Sequence, residues 1–213
     1  MTVRVVTVER EFGSGGAQIA KLLAEKLGWK LWDQLLTNEI ARRAQCDRSE
    51  VQRREERMDP LYYRLLKSFL RGSFEGSLNA PRLKLLDADT IFRLTQRIVL
   101  EAAAEGNCVI VGRGSAFFLE NRNDAFHVFL YAPYEEKIRR VAANGMEQAD
   151  AARLVDTVDQ ERADFIKKYF EKVWPCRTLY HLMINSRIGD EAVVETILNG
   201  IETMRRHPIR FPA

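Results

Sequence analysis

The chain has 213 residues, 46% of them hydrophobic and 30% charged, which suits one soluble α/β domain over residues 1–213 and no second full domain. A net charge of +3 with an isoelectric point near 8.8 is too mild to imply a nucleic-acid partner, and the sequence holds no apolar run that would span a bilayer. Arginine and glutamate interrupt Met1 to Phe12, unlike a signal peptide, and Cys46, Cys108 and Cys176 lack C-x-x-C spacing, so no disulfide framework or zinc site is expected and the cytoplasm is the natural compartment.

The first element is an apolar, β-branched run, Val3 to Val8, that stops at Glu9-Arg-Glu-Phe-Gly-Ser-Gly-Gly16. Ile19, Ala20, Leu22, Leu23 and Leu27 then recur at helical spacing, so the stretch reads as strand, glycine loop, helix. Gly13, Gly15 and Gly16 allow close backbone approach, and the N–H groups opening the helix suit a phosphate. The full P-loop pattern would place a lysine where Gly16 stands and a hydroxyl where Ala17 stands, with Gln18 next; both are missing. A plain glycine turn packing helix on strand is the alternative.

Trp29 to Trp32 reads as a short strand ending at Asp33, a carboxylate near the phosphate loop if the two strands are neighbours, or a cap for the helix from Gln34. Gln34 to about Leu83 is expected to be an inserted helical subdomain that includes the turn-rich Arg71 to Pro81. A helix from Ala88 to Ala104 carries Gln96 and Arg97. Cys108 to Val111 reads as a strand buried on both faces, running into Gly112-Arg113-Gly114. Ala125 to Tyr131 is the next strand, with His127 read as structural. A helix from Tyr134 carries Lys137, Arg139 and Arg140, and another from Gln148 to Phe170 carries Asp156, Asp159, Arg162 and Asp164, for which surface ion pairs are the default reading. Leu179 to Ile184 is the last strand, His181 a packed residue within it, and Asp190 to Met204 the last helix. Strands alternating with helices predict a parallel sheet covered on both faces.

In their order and spacing these motifs resemble the cytidylate kinase-like branch of the P-loop nucleoside-monophosphate kinases, over nearly the whole chain. The resemblance implies a P-loop kinase fold, with a five-stranded parallel sheet, helices on both faces, a helical monophosphate-binding insertion over residues 34–83 and a lid over about 140–165. It implies ATP bound at Gly13, Ser14, Gly15, Gly16, Ala17 and Gln18, with Mg²⁺ met by Asp33 through water. Arg97, Arg113 and Arg162 are then expected to hold the acceptor phosphate, Asp159 to read cytosine, and Arg139 and Arg140 to reach the ATP phosphates. Arg10, at the start of the loop, is the nearest cation in sequence that stands in for the lysine. Departures from the family pattern are Gly16 for lysine, Gly114 where an aspartate is usual, and Val155 where an arginine is expected.

Three functions remain open at this point. The first is ATP-dependent phosphorylation of CMP or dCMP; the second is a nucleotide-sensing module with little turnover; the third is a kinase of a non-nucleotide small molecule on the same fold. Nucleotides are the expected partners, and the sequence says nothing about protein partners.

Overall fold

A computed structural model describes residues 2–46 and 88–207; residues 47–83 of the expected insertion, with the Arg71 to Pro81 stretch, lie outside them. Strand β1 (Val5–Arg10) is buried along its whole length and leads through the glycine loop into α1 (Gly16–Leu27), which ends at Gly28 with φ 64°. Strand β2 (Lys30–Trp32) and helix α2 (Gln34–Cys46) follow. Helix α3 (Ala88–Glu105) precedes β3 (Cys108–Val111) and the single-turn α4 (Ser115–Phe118). Beyond β4 (Ala125–Tyr131) come α5 (Tyr134–Ala142) and the long α6 (Gln148–Phe170). Strand β5 (Leu182–Asn185), a 3₁₀ turn at Ser186–Ile188 and α7 (Asp190–Arg206) complete the order.

The five strands form one sheet in the order β2-β3-β1-β4-β5, and every pairing is parallel. Strand β1 is central because its uninterrupted apolar run tolerates burial on both faces. Its side chains alternate between two cores: Val6 and Val8 pack with Ile19 and Leu23 of α1 and Val193 and Ile197 of α7, while Val5 packs with Leu36 of α2, Ile98 of α3 and Phe165 of α6. Phe12 leaves the sheet and joins a smaller cluster with Ile138, Val141, Val155 and Val158, which binds α5 to α6. Since all five strands run the same way, the ends of β1, β2 and β3, at Arg10, Asp33 and Gly112, come to one edge, where such sheets hold ligands.

The last strand begins later than its apolar pattern predicts. Leu179 N–H bonds back to Cys176 O at 3.0 Å in a turn, and Tyr180 is buried against Phe129 rather than paired along the ladder. His181 joins β4 through both groups, donating its N–H to His127 O at 2.8 Å and accepting His127 N–H on Nδ1 at 2.8 Å. His127 itself is buried, with Nδ1 and Thr7 Oγ1 2.8 Å apart, a packed residue as its sequence context suggests.

Candidate active site

The glycine loop joins β1 to α1 through Gly13 and Gly15, both at positive φ (77° and 78°), a conformation that costs side-chain-bearing residues energy. Gly15 caps α1 with no side-chain bond, which leaves the opening N–H groups of the helix for a ligand. A cleft of about 360 Å³ lies over this turn, lined by Gly13, Gly15, Gly16, Ala17 and Gln18 together with Arg10, Arg140 and Arg162. Ser14 does not line it: fully buried, its hydroxyl donates to Glu11 O at 2.8 Å and shapes the turn from within.

Arg10 explains the bare Gly16. A Cβ at Gly16 would lie 2.7 Å from Arg10 Cγ and 2.8 Å from its Cβ, and one at Gly112 would meet Arg10 Nη1. The arginine stem therefore runs directly behind the first residue of α1, and its guanidinium reaches the end of β3. Arg113, buried and at φ 61°, donates through Nη2 to Thr37 Oγ1 on α2. Arg162, on α6, donates through Nη1 to Arg10 O at 2.7 Å.

Taking guanidiniums out of water carries a cost, which for Arg162 is offset in part by Asp159 Oδ1 at 3.5 Å. Burial pulls Arg113 down to about 10, with Asp33 opposing and Arg10 adding to the effect. Burial and then Arg10 pull Arg162 down to about 9, against Asp159, Glu9 and Glu11. The Arg10 charge thus acts on both Arg113 and Arg162. Arg97 is not part of that group: it is exposed on α3, where its charge acts on Glu101, the partner of Arg43 at 2.6 Å. Asp33 is buried at the end of β2 and its Oδ1 has no hydrogen-bond partner.

The two arginines of α5 separate. Arg140 donates to Ser14 O at 3.0 Å and Ser186 O at 3.4 Å and lies 3.7 Å from Asp190 Oδ1, so it spans from the glycine loop to the end of β5. Arg139 is exposed and pairs with Glu136. Asp159 is committed within the protein: Oδ1 accepts Phe12 N–H at 2.7 Å and Oδ2 accepts Lys137 Nζ at 3.0 Å. Asp156, exposed, accepts the Tyr134 hydroxyl at 3.0 Å.

The model of the cytidylate kinase-like family matches residues 5–188, from the start of β1 to the turn before α7. The chain belongs to that family. A cytidylate kinase from Archaeoglobus fulgidus is 25% identical over 205 residues, covering 94% of this chain and 96% of that protein. Among solved structures, an uncharacterized protein from Eubacterium ventriosum superposes with a TM-score of 0.67 at 20% identity, over 94% of this chain and 99% of that one. A shikimate kinase from Bacteroides thetaiotaomicron does so at 0.52 and 16% identity, over 93% and 98%. The fold is the P-loop kinase fold.

Within this family member, two site residues escape sequence reasoning. Glu9 is buried in β1; burial raises its carboxyl, against Arg10, Arg162 and the backbone N–H groups of Ala116 and Gly114. The signal was present, since a carboxylate interrupts an apolar strand one residue before Arg10. Lys137, its side chain only 10% exposed, bridges Glu11 Oε2 at 3.1 Å and Asp159 Oδ2 at 3.0 Å; nothing in its helical spacing marks it. At Gly114, where the resemblance would place an aspartate, φ is 71° and a Cβ would lie 2.8 Å from Phe170 Cε2, so an aromatic ring fills the space that a side chain would need.

Proposed function

We propose that the protein transfers a phosphoryl group from ATP to a nucleoside monophosphate, CMP or dCMP in the first instance. The observation that carries this reading is the set of cations at the glycine loop, buried Arg10 and half-buried Arg162 in the cleft, with buried Arg113 within the field of Arg10. Phosphoryl transfer needs two phosphates held in line and their charge neutralised, with little covalent work from the protein. The loop and the N-terminus of α1 hold the donor; Arg113 and Arg162 hold the acceptor phosphate through guanidinium forks. Arg10 takes the part of the absent lysine. Arg140 is the donor-side cation of α5, with Arg139 as its reserve, and Arg97 approaches the acceptor only if α3 or its own side chain moves. Residues 34–83 form the acceptor-binding insertion and residues from about 140 to 165 the lid.

Magnesium fits this site through Asp33. A buried carboxylate oxygen without a protein partner suits an ion that keeps most of its waters, and among the described residues no cluster of His, Cys, Asp or Glu would hold a metal directly. When bound, the ion neutralises the donor phosphates. Membership of the family supports nucleotides as substrates, and membrane attachment through a spanning helix has no support, since no described helix is long and apolar enough to cross a bilayer.

ATP consumption measured against CMP, dCMP, UMP, AMP and non-nucleotide acceptors tests the proposal, alongside calorimetric titration of MgATP. Turnover confined to CMP or dCMP is expected. Turnover only with a non-nucleotide acceptor would make it a small-molecule kinase, and tight ATP binding without turnover a sensor. Failure to bind ATP at millimolar concentration would remove the reading altogether.

A further inference from the structure

We propose that Asp159 is a positioning residue for the phosphate loop, holding the Phe12–Gly13 corner through the Phe12 N–H and so making donor affinity depend on how α6 is seated. The proposal reassigns a residue that the family resemblance would give to base recognition, and only its nucleotide measurements rest on the kinase reading above.

The geometry is specific. Asp159 Oδ1 accepts the Phe12 N–H at 2.7 Å, and this bond spans 147 residues of sequence, from the first turn after β1 to the middle of α6. An ionised carboxylate accepting a backbone N–H makes a stronger bond than a neutral pair. Its other oxygen, Oδ2, is met by Lys137 Nζ at 3.0 Å, and the same ammonium meets Glu11 Oε2 at 3.1 Å. One lysine of α5 therefore joins a loop carboxylate to a carboxylate of α6. Burial pulls this lysine down, but Asp159 and Glu11 more than offset it, and it ends above its ordinary value.

Two further contacts share the load at this corner. The Phe12 ring, 6% exposed, is inserted between α5 and α6. Gly13 lies so close to Lys137 that a Cβ on it would be 2.8 Å from the Lys137 carbonyl oxygen. Both fix where the loop passes. Neither is directed at the Glu11–Phe12 peptide; the Asp159 bond is, along its N–H, while Ser14 N–H and Oγ meet its carbonyl at 3.4 and 2.8 Å. The tilt of that peptide sets the course of the backbone through Gly13, Gly15 and Gly16, which line the cleft and are suited to a phosphate. A carboxylate whose oxygens meet the loop, Lys137 and, at 3.5 Å, Arg162 is poorly disposed to read a base. Loosening it should affect the donor phosphates first.

Amide hydrogen exchange of residues 12–16 in the full chain without ligand tests the bond. Calorimetry with MgATP and with CMP tests its consequence. Asp159→Ala is expected to speed loop exchange and to weaken MgATP by about tenfold or more, the loss of one charge-assisted hydrogen bond. CMP affinity should fall less than MgATP affinity, since of the acceptor arginines it is Arg162 that meets Asp159, at 3.5 Å, and the preference for CMP over UMP should stay within about twofold of wild type. Asp159→Asn keeps an oxygen that accepts from Phe12 and should return both loop protection and MgATP affinity to within about threefold of wild type. That rescue also keeps the test open if the alanine variant fails to fold.

Unchanged loop exchange and MgATP affinity, with collapsed discrimination between CMP and UMP, would overturn the proposal in favour of base reading. So would an asparagine variant as damaged as alanine, which would make the role one of charge alone. If wild-type protein binds neither nucleotide, the kinase reading fails separately, and loop exchange decides: no change on Asp159→Ala sinks the positioning role by itself.

Discussion

Arg10 fills the room that a side chain at Gly16 would need, and this reciprocity makes the pair testable. Arg10 Cβ and Cγ lie next to the backbone and cannot swing aside, unlike the far end of a long side chain. Gly16→Ala should therefore lower stability by about 1–2 kcal/mol, overpacking winning over the better helix propensity of alanine; a urea midpoint at or above that of wild type would show that the arginine yields. In the kinase reading, Arg10→Ala should leave the fold intact and cut CMP-dependent ADP formation by about 10²–10³-fold, as when one preorganised charge is lost from a transition state. Wild-type turnover in that variant would transfer the substitute role to Arg140. Arg113→Ala or Arg162→Ala should each weaken CMP binding by about 1.5–3 kcal/mol, and Arg97→Ala by much less, by calorimetry. The placement of Arg10 and Arg113 was legible because each sits at a strand end beside a glycine-containing turn. That of Arg139 and Arg140 was not legible, because neighbours on a helix point about 100° apart and only the packed fold decides which faces the loop.

Elements β1, β3, α4 and α6 meet at the corner where β3 turns into α4. Arg113 and Gly114 are both in the left-handed region, at φ 61° and 71°, and Glu9 of β1 faces the N–H groups of Gly114 and Ala116. Phe170, the last residue of α6, closes over Gly114 and stacks on Phe117 with ring centroids 4.6 Å apart. Gly114→Asp, although it installs the residue usual elsewhere in the family, should destabilise by about 2 kcal/mol or more, since left-handed strain and the displaced ring add. A thermal or urea midpoint unchanged from wild type would count against that steric account. The strands on either side of this corner, Cys108–Val111 and Ala125–Tyr131, were readable to the residue because apolar runs there end at glycine or proline. Strand β5 was not, because the apolar pattern of Leu179 to His181 serves a turn and side-chain packing on β4 before the ladder begins. Periodicity reports burial, and burial alone does not report pairing.

Over the whole molecule, the central place of β1 sets it against β4, which carries buried His127 beside half-buried His181, and this gives the fold a pH dependence of predictable sign. His127 of β4 lies between Thr7 of β1 and the ring of His181, whose centroid is 5.1 Å away. Burial first, and then the His181 charge, lower it from 6.5 to about 4, and burial lowers His181 as well. An unfolded chain takes up these protons near 6.5 while the native protein refuses them until near 4. Stability is therefore fully present above about pH 6.5 and is lost progressively as pH falls toward 4, by about 3 kcal/mol for His127. Glu9 works in the opposite sense: its carboxyl is raised, so its contribution is present at acid pH and lost as pH rises. The two would partly cancel in a single profile. The difference between wild type and His127→Gln separates them, because glutamine preserves an acceptor for the Thr7 hydroxyl and has no proton to gain. Urea unfolding from pH 7.5 to 4 should show the two proteins converging in stability as the pH drops, by up to about 3 kcal/mol over the interval. Parallel curves would mean that His127 titrates normally in the folded state, and that the tight junction of β1, β4 and the approach to β5 admits water.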